Sequence, residues 1–155
     1  MKLFSVMKKS SLISILPQIL QSHKEWFNSK GNDGIFADLS GEDLREGNFK
    51  NAVLVEANLQ GTDLRGVNFE NADLRGANLQ DTQLKGARLK NANFEETDMM
   101  WADMENVDLE NTRLSGAYLH GANLQNTCII ASQIKLAFID EDTQLPPPLQ
   151  KIMRK

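Results

Sequence analysis

Residues 57–86 read ANLQG TDLRG VNFEN ADLRG ANLQD TQLKG, and every block of five has a large apolar residue at its centre. The beat extends outward in both directions. From position 39 to position 139 every fifth residue is Leu, Phe, Met or Ile, twenty-one in all and without a slip of register. Two places before each centre stands a small residue, with Glu42 the one polar misfit beyond Thr and Ser. A period of five fits neither the helical 3.6 nor the strand alternation of two. Two inward side chains separated by one outward residue make a short extended piece. The remaining two residues, often ending in Gly or Asn, suit a corner. Repetition winds such a chain into a coil, and stacked coils bury one continuous core.

The block pattern A-(D/N)-L-X-X resembles the motif of the pentapeptide repeat family over residues 37–141. The resemblance implies an all-β solenoid, a right-handed quadrilateral β-helix with four pentapeptides to each coil. A spacing inside the sequence agrees with four. Asn51, Asn71, Asn91 and Asn111 recur every twenty residues and would stack in one column, where asparagine amides can bond from rung to rung. Beside them Lys50, Glu70, Lys90 and Glu110 alternate in sign, and Phe49 falls beneath Phe69. About five coils at the usual strand separation give a rod of about 24 Å. Residues 23–44 (HKEWFNSKGNDGIFADLSGEDL) further resemble the lead-in of cyanobacterial pentapeptide proteins.

An open coil end exposes core and unpaired backbone, so both ends need covers. Residues 1–36 are expected to form an N-terminal α-helical cap, with Pro17 in its first turn and Gly31 at its stop. Leu16, Ile19, Leu20, His23, Trp26 and Phe27 share one helical face there. Residues 142–155 form a Pro-rich tail whose three consecutive prolines forbid further strand pairing.

Charge is uneven. Residues 1–36 carry +3, residues 37–141 carry −9 and residues 142–155 carry +2. The acidic centre argues against direct nucleic-acid binding, which needs a basic footprint. One cysteine, Cys128, excludes an internal disulfide and leans toward a reducing compartment, the cytoplasm. The N-terminal lysines Lys2, Lys8 and Lys9 precede an apolar stretch, but no small-x-small cleavage site follows, and no run is long enough to span a membrane. That basic amphipathic start makes membrane-surface contact a minor alternative.

The catalytic inventory is thin. His23 and His120 are the only histidines and lie far apart, Cys128 has no His or basic cluster beside it, and no metal-ligand spacing or phosphate loop appears. We therefore expect no enzyme, no cofactor and no metal. A basic column of Arg45, Arg65, Lys85 and nearby Arg75 reads as solubility charge. Another feature stands out at TDMMW, residues 97–101. Met100 and Trp101 occupy outward positions that other blocks fill with polar residues or Gly, and twenty residues on the same face offers Tyr118 and His120, then Phe138. The composition is that of a contact patch, unless residues 145–153 fold over it.

The functional expectation is a scaffold or protein–protein interaction module with an unknown protein partner, existing as a monomer or weak homodimer. Two alternatives come from resemblance alone. Some family members mimic DNA and protect type II topoisomerases such as gyrase, but the short rod and its basic column oppose that reading. A peripheral membrane-associated assembly factor is the other.

Overall fold

Parallel bridges join residues twenty apart: Asp38 to Asn58, Asp43 to Asp63, Asn48 to Asn68 and Val53 to Asp73 complete one circuit, and the same four columns continue along the repeats. The structure is a computed structural model and describes residues 9–152. Lys2 and Lys8 of the basic start and Met153 of the tail lie outside the described residues. Each extended piece contributes a single bridging residue, so among the described residues no continuous strand forms. The described residues also hold two helices, α1 (Lys9–Asn28) and α2 (Ala131–Ile134), and a 3-10 turn at Gln150–Ile152.

The chemistry of one block explains the coil. The Leu59 N–H donates to the Asn78 carbonyl at 2.8 Å, and the Asn78 N–H donates back to Ala57 at 2.9 Å. At the corner the Ala57 N–H donates to the Leu54 carbonyl at 3.0 Å, closing a four-residue turn whose third residue, Glu56, has φ 63. Every corner at this place from position 41 to position 126 is left-handed, which is why Gly and Asn recur there. The Asp or Asn before each centre accepts the N–H two residues on, as Asn78 Oδ1 does from Gln80 at 3.0 Å.

The central residues from Leu39 to Leu124 form an almost solvent-free column, with Phe49 and Phe69 stacked at 4.6 Å. Burying each contributes about 1.5–3 kcal/mol in gross terms, opposed by chain entropy of comparable total. Thr62, Thr82, Thr97 and Thr112 replace Ala at inward positions, each hydroxyl donating to a leucine carbonyl: Leu59, Leu79 and Leu109 three residues back for Thr62, Thr82 and Thr112, and Leu74 of the coil below for Thr97. A buried hydroxyl so paired costs little.

The outer columns pair vertically. Asn71 Nδ2 donates to Asn51 Oδ1 at 3.3 Å, and Asn91 donates to Asn71 at 3.1 Å. Lys50 meets Glu70 at 3.0 Å and Lys90 meets Glu110 at 2.7 Å. Being exposed, such pairs contribute little stability individually. Arg45, Arg65 and Lys85 do share one column. Arg75 does not join them: it follows Asp73 in the fourth bridge column, half a circuit away from Arg65, because ten residues are half of twenty.

The N-terminal end is closed by α1. Leu12, Leu16, Ile19 and His23 are its buried face, and Leu16 packs against Gly47, the one glycine at an inward small position. A side chain at Gly47 would collide with the Phe49 ring and the Leu44 carbonyl. Pro17 lies inside α1 and not in its first turn, since the buried face already begins at Leu12. The helix stops through Lys30, with φ 57, and Gly31, whose N–H donates to the Trp26 carbonyl at 2.8 Å.

At the other end the five-residue rhythm survives in sequence but not in shape. Ile129 and Ile134 are buried, yet residues 131–134 coil into α2 and no bridge joins 108 to 128 or 113 to 133. Pairing resumes from Tyr118 to Phe138, then from Asn123 to Gln144, one residue longer than a circuit. One further bridge thus forms before the prolines, with Thr143 and Leu145 buried in the two inward places.

Candidate interaction surface

One side of the rod holds the bridge column Asp38, Asn58, Asn78, Asp98, Tyr118 and Phe138, beside the column Ser40, Gln60, Gln80, Met100, His120 and Asp140. Its lower half is a polar ladder. Asn58 Nδ2 donates to Asp38 at 2.9 Å, and Gln80 Nε2 donates to Asp98 at 2.5 Å. The upper half turns aromatic. Tyr118 and Phe138 stack with ring centroids 5.1 Å apart, and His120 tilts toward Tyr118 at 6.3 Å.

Trp101 stands at the corner of this side, where the same column elsewhere holds Gly41, Gly61, Asp81 and Gly121. Its φ of 60 is a conformation that bulky residues avoid. The indole lies flat over Gly121, where an added methyl would overlap the ring. Trp101 is 56% exposed, Phe138 52% and Tyr118 43%, while Met100 and His120 are half-buried. The described part of the tail does not cover them. Leu145 and Pro146 are buried, and Leu149 packs against the core, so the tail closes the last coil and leaves the patch open. Two exposed apolar residues escaped the sequence reading: Leu136, 60% exposed at the corner leading into this side, and Ile130, 57% exposed half a circuit away beside Glu110. The signal was present, because Leu136 occupies a corner position that Gly, Asn or Glu takes elsewhere.

Charge separates this side from the others. Residues 37–141 hold nine Lys and Arg, and all nine fall on the other three sides. Among the described residues seven of the nine pair with carboxylates, for example Arg65 with Asp63 at 2.6 Å, Lys85 with Glu105 at 2.7 Å and Arg75 with Asp73 at 2.7 Å. The aromatic side carries Asp38, Asp81, Asp98, Asp140 and Glu141, and among the described residues none of these has an ion-pair partner in Lys or Arg. Burial pushes the Asp140 carboxyl up, but N–H and O–H donation from Gly121 and Thr143, with His120 nearby, outweighs it and holds the group below its ordinary value.

The two reactive side chains outside the patch are structural. His23 is fully buried; its Nδ1 accepts the Ala37 N–H at 3.1 Å, so Nε2 carries the proton and donates to the Val55 carbonyl at 3.0 Å. Desolvation lowers its pKa, against smaller opposing effects from that carbonyl and Glu56. The Cys128 thiol donates to Asp108, and desolvation with that carboxylate pushes it up, away from nucleophilic thiolate.

The model of the pentapeptide repeats matches residues 35–71, 68–106 and 97–132. The chain belongs to the pentapeptide repeat family. Among solved structures it is similar to the repeat protein Rfr23 of the cyanobacterium Cyanothece 51142, with 28% identity and a TM-score of 0.59 over 62% of this chain and 65% of that one. HetL of Nostoc sp. strain PCC 7120, a repeat protein involved in regulating heterocyst differentiation, shares 34% identity at TM-score 0.56, over 57% of this chain and 37% of its own. A repeat protein of the Arabidopsis thaliana thylakoid lumen shares 30% identity at TM-score 0.51, over 63% of this chain and 71% of its own. The match thus spans just under two thirds of Rfr23 and little more than a third of HetL. No curated protein matches the chain. Among the described residues no helix is long and apolar enough to cross a membrane.

Proposed function

We propose that this repeat protein is a non-enzymatic scaffold, a right-handed quadrilateral β-helix of the kind its family forms, that engages a protein partner through the aromatic end of one side. The observation that carries this is Trp101. A large aromatic held in a left-handed corner, half exposed, gives the fold nothing that Gly or Asn would not give better. Strain retained at an exposed position is a mark of use. Around it Met100, Tyr118, His120 and Phe138 assemble the aromatic and sulfur-bearing composition of interface centres. The mixed, partly ion-paired charges of the other three sides are those of ordinary solvent surface, and the proposed compartment is the cytoplasm, in line with a lone unpaired cysteine.

The test is recovery of the complex from the native host with the wild-type chain and with Trp101→Ala combined with Tyr118→Ala. The double variant should melt at the wild-type temperature and lose the co-purifying protein. Undiminished recovery with it would place the partner elsewhere on the rod.

A further inference from the structure

We infer that the aromatic end of this side receives a basic protein segment, its lysine or arginine groups lying on Tyr118, Phe138 and Trp101 between the carboxylates of Asp98, Asp140 and Glu141. This rests on the interaction-surface reading and names the chemistry of the partner. Three placements lead to it. The aromatic rings are exposed and clustered, and aromatic faces attract guanidinium and ammonium groups. The carboxylates bracket them: Asp98 lies one coil below Tyr118 in the same column, while Asp140 and Glu141 follow Phe138. Finally, the side lacks any Lys or Arg, whereas each of the other three carries three. Six carboxylates on those sides are already ion-paired within the rod, whereas the five on this side have no Lys or Arg partner among the described residues.

The same placements disfavour other occupants. Phosphates of a nucleic acid or an anionic lipid surface would meet five acids and no base. A second copy docked about a twofold axis would set Asp98, Asp140 and Glu141 against their own like charges.

The experiment is calorimetric titration of the full chain with a short peptide of alternating Arg and Leu, and with its copy carrying Glu for every Arg. The Arg peptide should bind and weaken as salt rises, and the Glu copy should not bind. Asp98→Asn with Glu141→Gln should weaken binding about tenfold and flatten the salt dependence. Asn is already the native residue at 58 and 78 of that column, so the coil tolerates it. Tyr118→Ser should cost about tenfold at any salt. Glu105→Gln with Glu110→Gln, on the other sides, should change nothing. Equal weakening by that control pair, or wild-type binding by Asp98→Asn with Glu141→Gln, overturns the inference. If the Glu copy binds and Tyr118→Ser abolishes it, the surface reading stands and the basic partner falls. A dimer that disappears with Trp101→Ala, with neither peptide binding, assigns the face to a second copy and likewise overturns the basic partner.

Discussion

The two ends of the coil solve the same problem in different ways. Each end lacks a neighbouring circuit, so backbone groups there need partners, and each end supplies a side chain that both donates and accepts. At the N-terminal end His23 satisfies the Val55 carbonyl and the Ala37 N–H. At the C-terminal end Gln133 Nε2 donates to the carbonyls of Leu109 and Thr112 at 3.0 and 3.1 Å, while its Oε1 accepts the Ile130 N–H at 3.0 Å. The covers differ more than the bonds. The twenty-residue α1 seats Leu12, Leu16, Ile19 and His23 on the first coil, whereas the other end is closed by the four-residue α2, which buries Ile134, and by Thr143, Leu145 and Pro146 of the tail, with Leu136 and Phe138 left exposed. A full cover belongs to an end that only has to be stable; a partial one leaves apolar surface for something else to occupy.

The column between the ends sets the largest effect. Leu64→Asp puts a carboxylate where no partner exists, at a cost of about 5 kcal/mol or more, comparable to a domain's entire stability. Loss of the circular-dichroism melt is the expected outcome. A cooperative melt near the wild-type temperature would mean that the column is not a shared core and that the ends fold independently of it.

Acid should discriminate between the ends. His23 is neutral in the fold with a lowered pKa, so the unfolded chain binds the proton more readily. Its contribution is complete above the unfolded value, about 6.5, and is lost as pH falls below it toward the folded value. Carboxylates held below their ordinary range, such as Asp63 by Arg65, act in the same direction only at lower pH, below about 4. Melting between pH 7 and 5 should therefore fall for the wild type. His23→Gln, about 1–3 kcal/mol less stable at neutral pH, should remove that dependence. An equal decline in both proteins would take His23 out of the account.

A smaller loss is expected from Gln133→Ala, about 1 kcal/mol, because Gln133 is only partly buried and lines a cleft with Leu109, Thr112 and Ile130 in which water can replace the amide. Hydrogen exchange should rise at residues 130–136 and leave α1 protected. If protection fell equally at α1, the two covers would be one cooperative unit.

The ends also mark where the sequence stops being legible. From Leu39 to Leu124 the beat determines the coil because each centre is buried and each corner accepts a left-handed residue. At TCIIA and SQIKL, residues 127–136, the centres Ile129 and Ile134 are buried in either shape, so periodicity cannot separate coil from helix. The corner residues could have done so: Ala131 and Leu136 stand where Gly or Asn belongs, and neither takes a positive φ. The extra residue before Gln144 is equally invisible to a period, since Thr143 and Leu145 restore the inward pattern after it. Trp101, Tyr118 and Phe138 were legible as a group because twenty-residue spacing aligns them. That the tail leaves them open was not, because the apolar Leu145 and Leu149 suit an end cover as well as a patch cover.

Trp101→Asn should have the smallest effect on stability and separates the two kinds of strain in the rod. Every other left-handed corner is occupied by a residue that tolerates it or a flexible acid; only here is a bulky ring placed on that backbone. Replacement by the residue used at Asn51, Asn71 and Asn91 relieves the backbone and loses only the indole's contact with Gly121. These effects oppose each other, and the melting free energy should stay within about 0.5 kcal/mol of the wild type. Partner recovery, in contrast, should be lost. A variant destabilised by several kcal/mol would show that the indole is part of the C-terminal cover, and the contrast between a sealed end and an open one would then be one of degree.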